Sequence, residues 1–399
     1  MANQAEAMPK QGSRSATVPL WRNPAARALV FQALAILLVI AAGIYLVSTT
    51  IHNLQVRGIR SGYGFLGNEA GFRIGEHLIP YQASDSYARA FLVGVLNTLH
   101  VSVIGILLAT VIGTVIGIAR LSTNWLISRL ASVYVETVRN IPLLLQLFFW
   151  YSAITGLLPP VSAAIGLLPG LYLSKSGLMY PVPVYTPVYA FMGLALLCGC
   201  AAAVLFAKWA KRRQEQTGQR APVLWVGLGA VLGLPILVWL AGGAPIDFDV
   251  PARGRFSFTG GSSVTPEFLA LLMGLTIYTA GFIAEIVRGG ILAVPWGQTE
   301  AAAALGLRRG LVLRLVILPQ ALRVIVPPIT SQYLNLTKNS SLAVAIGYPD
   351  LVSVANTSLN QTGQAIECIS IMMAIYLVIS LSISGFMNWY NRRVALVER

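Results

Sequence analysis

Three groups of polar residues stand where the surrounding chain is almost wholly apolar. Glu285 and Arg288 lie three apart near the end of one apolar run, on one face of a helix. There they can pair with each other or serve a pathway. Asn335, Lys338 and Asn339 follow the double proline Pro327–Pro328 within the run 322–347. An ionisable side chain at membrane depth is expensive, and so marks a function or a specific partner. Lys338 could meet a substrate carboxylate or pair with an acid on a neighbouring subunit, and both readings stay open. The third group is EAAAALGLRRGLVLRLVILPQ at 300–320. Pro295 and Gly297 stop the preceding run, and Thr299 or Gln298 is placed to cap a short helix. Glu300 in its first turn would suit the positive end of the helix dipole. Gly306 permits a sharp bend, and Leu318–Pro319 leads back into apolar sequence. Such a small-surfaced helix ending in a tight turn is a knob that another protein could grip. Packing of the alanines against a neighbouring helix is the plainer alternative.

The elements that must position these residues are membrane spans. The chain has 399 residues, 56% hydrophobic and 11% charged, with a mean hydropathy of +0.71. That composition excludes a disordered chain and argues against an ordinary soluble one. Apolar runs long enough to cross a bilayer predict eight spans, near 28–47, 91–118, 141–158, 188–207, 223–241, 267–288, 322–346 and 366–387. The first reads as a retained anchor rather than a cleaved signal, and the polar tail before it as disordered. The run at 159–187 is broken by proline and glycine and is expected to lie on, or re-enter, the outer face. The double proline in 322–347 requires that span to face protein or a water-filled cavity, because such backbone is not tolerated against lipid.

The net charge of +14 would suggest nucleic acid in a soluble protein. Here the positive-inside rule accounts for it. With both termini cytoplasmic, 20 of the 28 basic residues fall inside and seven outside, leaving Lys338 within a span. Glu136 and Arg139, before Pro142, read as structural. Glu367 could contact a partner at the outer face or cap a helix, and His100 reads as a satisfied core histidine. Cys198, Cys200 and Cys368 have no disulfide framework or zinc spacing, and no set of metal ligands is apparent. No Gly-Lys pair occurs, so no phosphate-binding loop of the GxxxxGK[ST] kind is possible.

The spacing of Glu300, Ala301, Ala302, Gly306, Val316, Leu318 and Pro319 resembles the EAA loop of permease subunits of ATP-binding-cassette importers. The stretches NTLHVSVIGILLATVIGTVIGIARLS (97–122), YVETVRNIPLLLQLFF (134–149) and TIYTAGFIAEIVRGGILAVPWGQ (276–298) resemble the polar amino-acid (histidine/glutamine) branch. The stretch 331–367 is nearer still to the Q subunit of general L-amino-acid importers. The likeness covers 90–158 and 262–399. It implies an all-α polytopic membrane protein with the type I ABC importer transmembrane fold, at 90–388, interrupted by an insertion at 159–261 with two extra spans. An extra N-terminal span (28–47) follows a cytoplasmic tail (1–27) and leads to a periplasmic segment (48–89). A basic cytoplasmic tail (389–399) closes the chain.

The resemblance also implies partners. Two separate ATP-binding subunits would hold ATP and Mg and do the hydrolysis, so the chain itself would bind no cofactor and be no enzyme. A paralogous second permease would complete the pathway, and a periplasmic binding protein would deliver L-amino acids at the inner membrane of a Gram-negative bacterium. Glu300 would anchor the coupling helix, Ala301 and Ala302 would allow close docking, and Gly306 would make the bend. An ion-coupled secondary transporter is the main rival, but it predicts paired repeats with broken helices. A non-transporting scaffold is the other, and neither explains the loop at 300–319.

Overall fold

The computed structural model describes residues 24–56, 61–219, 221–254 and 257–394. The polar tail expected to be disordered lies outside the described residues, as do the last five positions. Helix α1 (Pro24–Val56) is almost wholly apolar over 28–47, and its described side chains there are exposed. An irregular strap, 61–86, leads from it to α2 (Tyr87–Ala119). Helices α3 (Trp125–Asn140) and α4 (Leu143–Leu157) follow. Helix α5 (Pro187–Thr217) forms a hairpin with α6 (Val223–Leu228) and α7 (Leu234–Ala241), which a π turn joins. Then come α8 (Pro266–Leu292), α9 (Trp296–Ala304), α10 (Arg309–Val312), α11 (Leu318–Asn339), α12 (Leu351–Thr362) and α13 (Ala365–Val394). Among the described residues seven helices are long and apolar enough to cross a membrane, or eight if the bent pair α3–α4 is one span, in line with the expected number.

Helices α2 and α8 run side by side in the same direction and carry the core. Their close approach is set by small residues. A Cβ on Gly117 would lie 2.6 Å from the Ala284 carbonyl oxygen and 2.9 Å from the Val287 Cβ. Around this seam Val101, Leu147, Leu271, Leu275, Ile283 and Leu336 are fully buried. Helix α11 runs the opposite way and closes the group, passing through Pro327 and Pro328 without a break.

The third span departs from expectation. What read as a cytoplasmic loop before residue 141 is α3, and it bends 106° into α4. Ile141 is extended because the following Pro142 disfavours helical backbone there. The carbonyls freed at the bend are those of Val138 and Ile141, and the buried Gln146 amide donates to both, at 2.9 and 3.0 Å. Tyr134 then ties α3 to α8 by donating to the Ile277 carbonyl at 2.8 Å.

The chain is mostly helical, in line with the expected fold class, and short strands appear as a local departure at 159–187. That run contains no helix long enough to cross a membrane. It makes β1 (Ile165–Leu168), β2 (Leu171–Ser174) and β3 (Gly177–Tyr180), an antiparallel meander that β8 (Ser262–Val264) extends through the pairing of Leu178 with Val264. Short pairs β4–β5 (Val182–Pro183, Phe248–Asp249) and β6–β7 (Ala252–Arg253, Phe258–Thr259) flank it. Proline and glycine interrupt helix propagation at intervals of a few residues, and the β-branched and aromatic residues between them suit short strands.

At the same end of the helices the strap is held by long-range contacts. The Gly62 amide donates to Glu367 Oε1 at 2.6 Å, and Tyr87 donates to Gln361 at 2.9 Å. Phe65, Ile74, Tyr81 and Phe91 bury themselves against Leu351 and Val354. Glu367 is therefore a buried acceptor for the strap, rather than an exposed contact or a simple cap.

Candidate functional site: the 296–319 loop and the polar residues of the spans

Helix α9 begins three residues before the expected start. Pro295 occupies its N-cap, and neither Gln298 nor Thr299 caps it, so Glu300 sits mid-helix rather than in the first turn. The reason is local. Proline at the cap fixes a suitable φ and its missing N–H needs no partner there. The C-terminal end is closed by a Schellman motif. Leu307 N–H donates to the Ala302 carbonyl at 3.3 Å, and Gly306 N–H to the Ala303 carbonyl at 2.9 Å. Gly306 takes φ +72°, the left-handed conformation that glycine adopts without penalty. The expected bend is thus present, at the expected residue.

The two faces of this helix differ. Ala302 is buried, whereas Glu300, Ala301 and Gly306 are exposed. Trp296 and Leu305 stand out at 73% and 80% exposure, a large apolar commitment for a polar loop. Arg308, Arg309 and Arg314 are exposed beyond them. Pro319 lies in the first turn of α11, where a missing N–H again does no harm, and Leu318 beside it is 44% exposed.

Glu285 and Arg288 do pair, Oε1 accepting from Nε and Nη2 of Arg288 at 3.2 and 2.6 Å. The other carboxylate oxygen accepts from Arg120, a residue that sequence reasoning did not single out. Arg120 caps the end of α2, also donates to Ser132 at 3.3 Å, and its carbonyl accepts from Ser128 at 3.0 Å. One carboxylate thereby joins α2, α3 and α8, eleven residues before α9 begins at Trp296. The only signal in the sequence was a basic residue where a span ends. Arg139 stacks over Phe282 at 5.1 Å, which fits its structural reading.

The polar group on α11 is not brought onto Glu285. Asn335 and Lys338 are exposed on the surface of this chain, and Asn339 is half-buried. Neighbouring Thr337 is buried and donates to the Tyr333 carbonyl at 3.0 Å. His100 is not the satisfied core histidine expected. It stacks on Phe268 at 4.9 Å, and its Nδ1 is buried without a hydrogen-bond partner. A further acid was overlooked. Asp350 is fully buried, caps α12 by accepting from the Ser353 amide at 2.8 Å, and burial pushes its pKa up to about 7.

Comparison with known proteins accords with this geometry. Residues 216–396 match the family described as binding-protein-dependent transport system inner membrane component. That range contains α8, the loop with α9, and α11 to α13. The general L-amino acid transport system permease protein AapQ of Rhizobium johnstonii is 51% identical over 377 residues, 94% of each chain. The glutamate/glutamine/aspartate/asparagine transport system permease protein BztB of Rhodobacter capsulatus is 42% identical over 406 aligned positions, covering 94% of this chain and 95% of its own. Alignments of that length include α1, the strap and the insertion. They leave no support for the ion-coupled or scaffold readings. A multi-pass architecture, an exposed helix ending in a left-handed bend and close similarity along nearly the whole sequence agree, and the chain belongs to the family of binding-protein-dependent ABC transport permeases.

Proposed function

We propose that this chain is one permease subunit of an ATP-driven importer that carries L-amino acids from periplasm to cytoplasm across the inner membrane of a Gram-negative bacterium. The names of the two relatives support the substrate class. The single observation that carries the mechanism is α9, a short exposed helix with a left-handed bend at Gly306 and two large apolar side chains turned outward. Two ATP-binding subunits, with their own ATP and Mg, would each grip such a helix. Glu300 anchors it, Ala301 and Ala302 keep its surface low, and Leu318–Pro319 fixes its return to α11.

Nucleotide-driven closure then moves α9, and the Arg120–Glu285–Arg288 tie makes α2, α3 and α8 follow together. The pathway lies between this chain and a paralogous second permease, where the exposed Asn335 and Lys338 meet substrate or partner. A periplasmic amino-acid-binding protein delivers at the outer end. The chain performs no catalysis of its own. Vesicles carrying the full complex test this reading: labelled amino acids accumulate with ATP and binding protein. Accumulation that instead follows a proton or sodium gradient without ATP overturns it.

A further inference from the structure

A cleft of about 370 Å³ opens at the outer end of the helices, and its lining carries charges of both signs. Arg73 and Glu76 of the strap, Thr265 and Glu267 at the start of α8, and Ser353 and Thr357 of α12 form its polar wall. Three segments far apart in sequence meet there: Asn97 of α2 staples the strap to the turn before α12, and the Thr265 hydroxyl, donating to Glu76, ties the start of α8 to the strap. The Asn97 side-chain amide donates to the Glu76 carbonyl at 2.8 Å and to the Pro349 carbonyl at 2.9 Å.

The two acids are only half used by the protein. Glu76 accepts from the Thr265 hydroxyl with one oxygen, and Glu267 accepts from the Tyr151 hydroxyl at 3.2 Å with one of its own. Among the described residues neither carboxylate has a basic partner, and the second oxygen of each has no hydrogen bond. Burial, together with the charge of Glu267, pushes the Glu76 carboxyl above its usual range. Two like charges in a partly desolvated cleft are unfavourable until a cation comes between them. A divalent metal fits poorly. No group of three or more acidic, histidine or cysteine ligands exists among the described residues, and a guanidinium lines the same cleft.

We infer that this cleft binds the zwitterionic head of a free α-amino acid, the ammonium between Glu76 and Glu267 and the carboxylate at Arg73. It is a receiving site at the outer face, separate from Asn335 and Lys338 on α11. The inference rests on the amino-acid importer reading and adds a second place where this chain itself recognises the substrate. Recognition of the head alone leaves the side chain toward Ser353 and Thr357 and suits a broad range of amino acids.

The test uses the purified permease–ATPase complex without binding protein, titrated calorimetrically with L-glutamine, with its deaminated analogue and with calcium alone. L-Glutamine is expected to bind, the deaminated analogue to bind at least tenfold more weakly, and calcium not at all. Arg73→Gln and Glu267→Gln are each expected to raise the Kd at least tenfold. Arg73 is exposed, so the first variant keeps the fold, and thermal unfolding checks the second. Equal affinity in both variants, no binding by the wild type, or binding of calcium in place of the amino acid overturns the inference. Uptake by the wild-type complex is measured in parallel. Normal amino-acid uptake with unaltered variants sinks this site alone, whereas no uptake by the wild type sinks the importer reading.

Discussion

Replacing Gly306 tests whether the bend after α9 is a matter of backbone conformation. Gly306 sits at φ +72°, and a Cβ built there meets nothing within 4 Å. Sterics within this chain therefore contribute nothing, and only the left-handed conformation penalises a side chain. That penalty is about 1 kcal/mol for alanine, less for asparagine, and about 2 kcal/mol or more for a β-branched residue. At about 1.4 kcal/mol per tenfold change in an equilibrium constant, the bent form falls severalfold for Gly306→Ala and about thirtyfold for Gly306→Val. Gly306→Asn stays near wild type. The assay is ATP-driven uptake in vesicles, with co-purification of the ATP-binding subunits as the second readout. The expected order of activity is Gly, Asn, Ala, Val. If Asn falls as far as Val, the partner's surface rather than backbone strain demands glycine. If Val matches wild type, the conformational reasoning is wrong.

Three other perturbations follow from the same geometry. Glu285→Gln weakens charge-assisted bonds to Arg120 and Arg288, and partial exposure of the cluster limits the loss to about 1–2 kcal/mol. The complex should melt earlier and hydrolyse more ATP per substrate moved, and an unchanged melting temperature and ratio contradict the tie. Gly117→Ala places a methyl against the Ala284 carbonyl and Val287, and overpacking of this kind destabilises by about 1–3 kcal/mol. Detergent unfolding reads that loss, and an unaltered unfolding curve refutes the close packing. Asp350, whose pKa is raised to about 7, holds a proton in the folded chain that the unfolded chain releases near pH 4. Stability should therefore fall as pH rises from about 4 to about 7. Asp350→Asn should flatten that slope, and a slope identical to wild type refutes the assignment.

Much of the helical frame was legible because a bilayer demands runs of about 20 apolar residues, and hydropathy counts them directly. The loop at 296–319 was legible because its residues are local, and helix, bend and return all lie within that stretch. What escaped depends on contacts distant in sequence. The strap has almost no regular structure and no periodicity, and its anchor Glu367 is 305 positions from Gly62. Arg120 and Glu285 are 165 apart, so nothing local marked Arg120 as their hub. The sheet hid inside an apolar run, since strands of four residues leave too short a pattern to separate from a membrane segment. The cap of α9 was missed for another reason: Pro295 signalled a stop for α8 and a start for α9 at once.

The central claim is that α9 is where ATP hydrolysis in partner subunits reaches this chain. The most direct measurement is ATP-driven uptake of labelled L-glutamine by vesicles carrying the full complex, comparing wild type with Glu300→Lys. Glu300 is exposed, so the substitution leaves the chain's own packing intact. Loss of uptake, together with release or uncoupling of the ATP-binding subunits while the permease remains folded, is the predicted result. Undiminished ATP-driven uptake with Glu300→Lys would contradict the account.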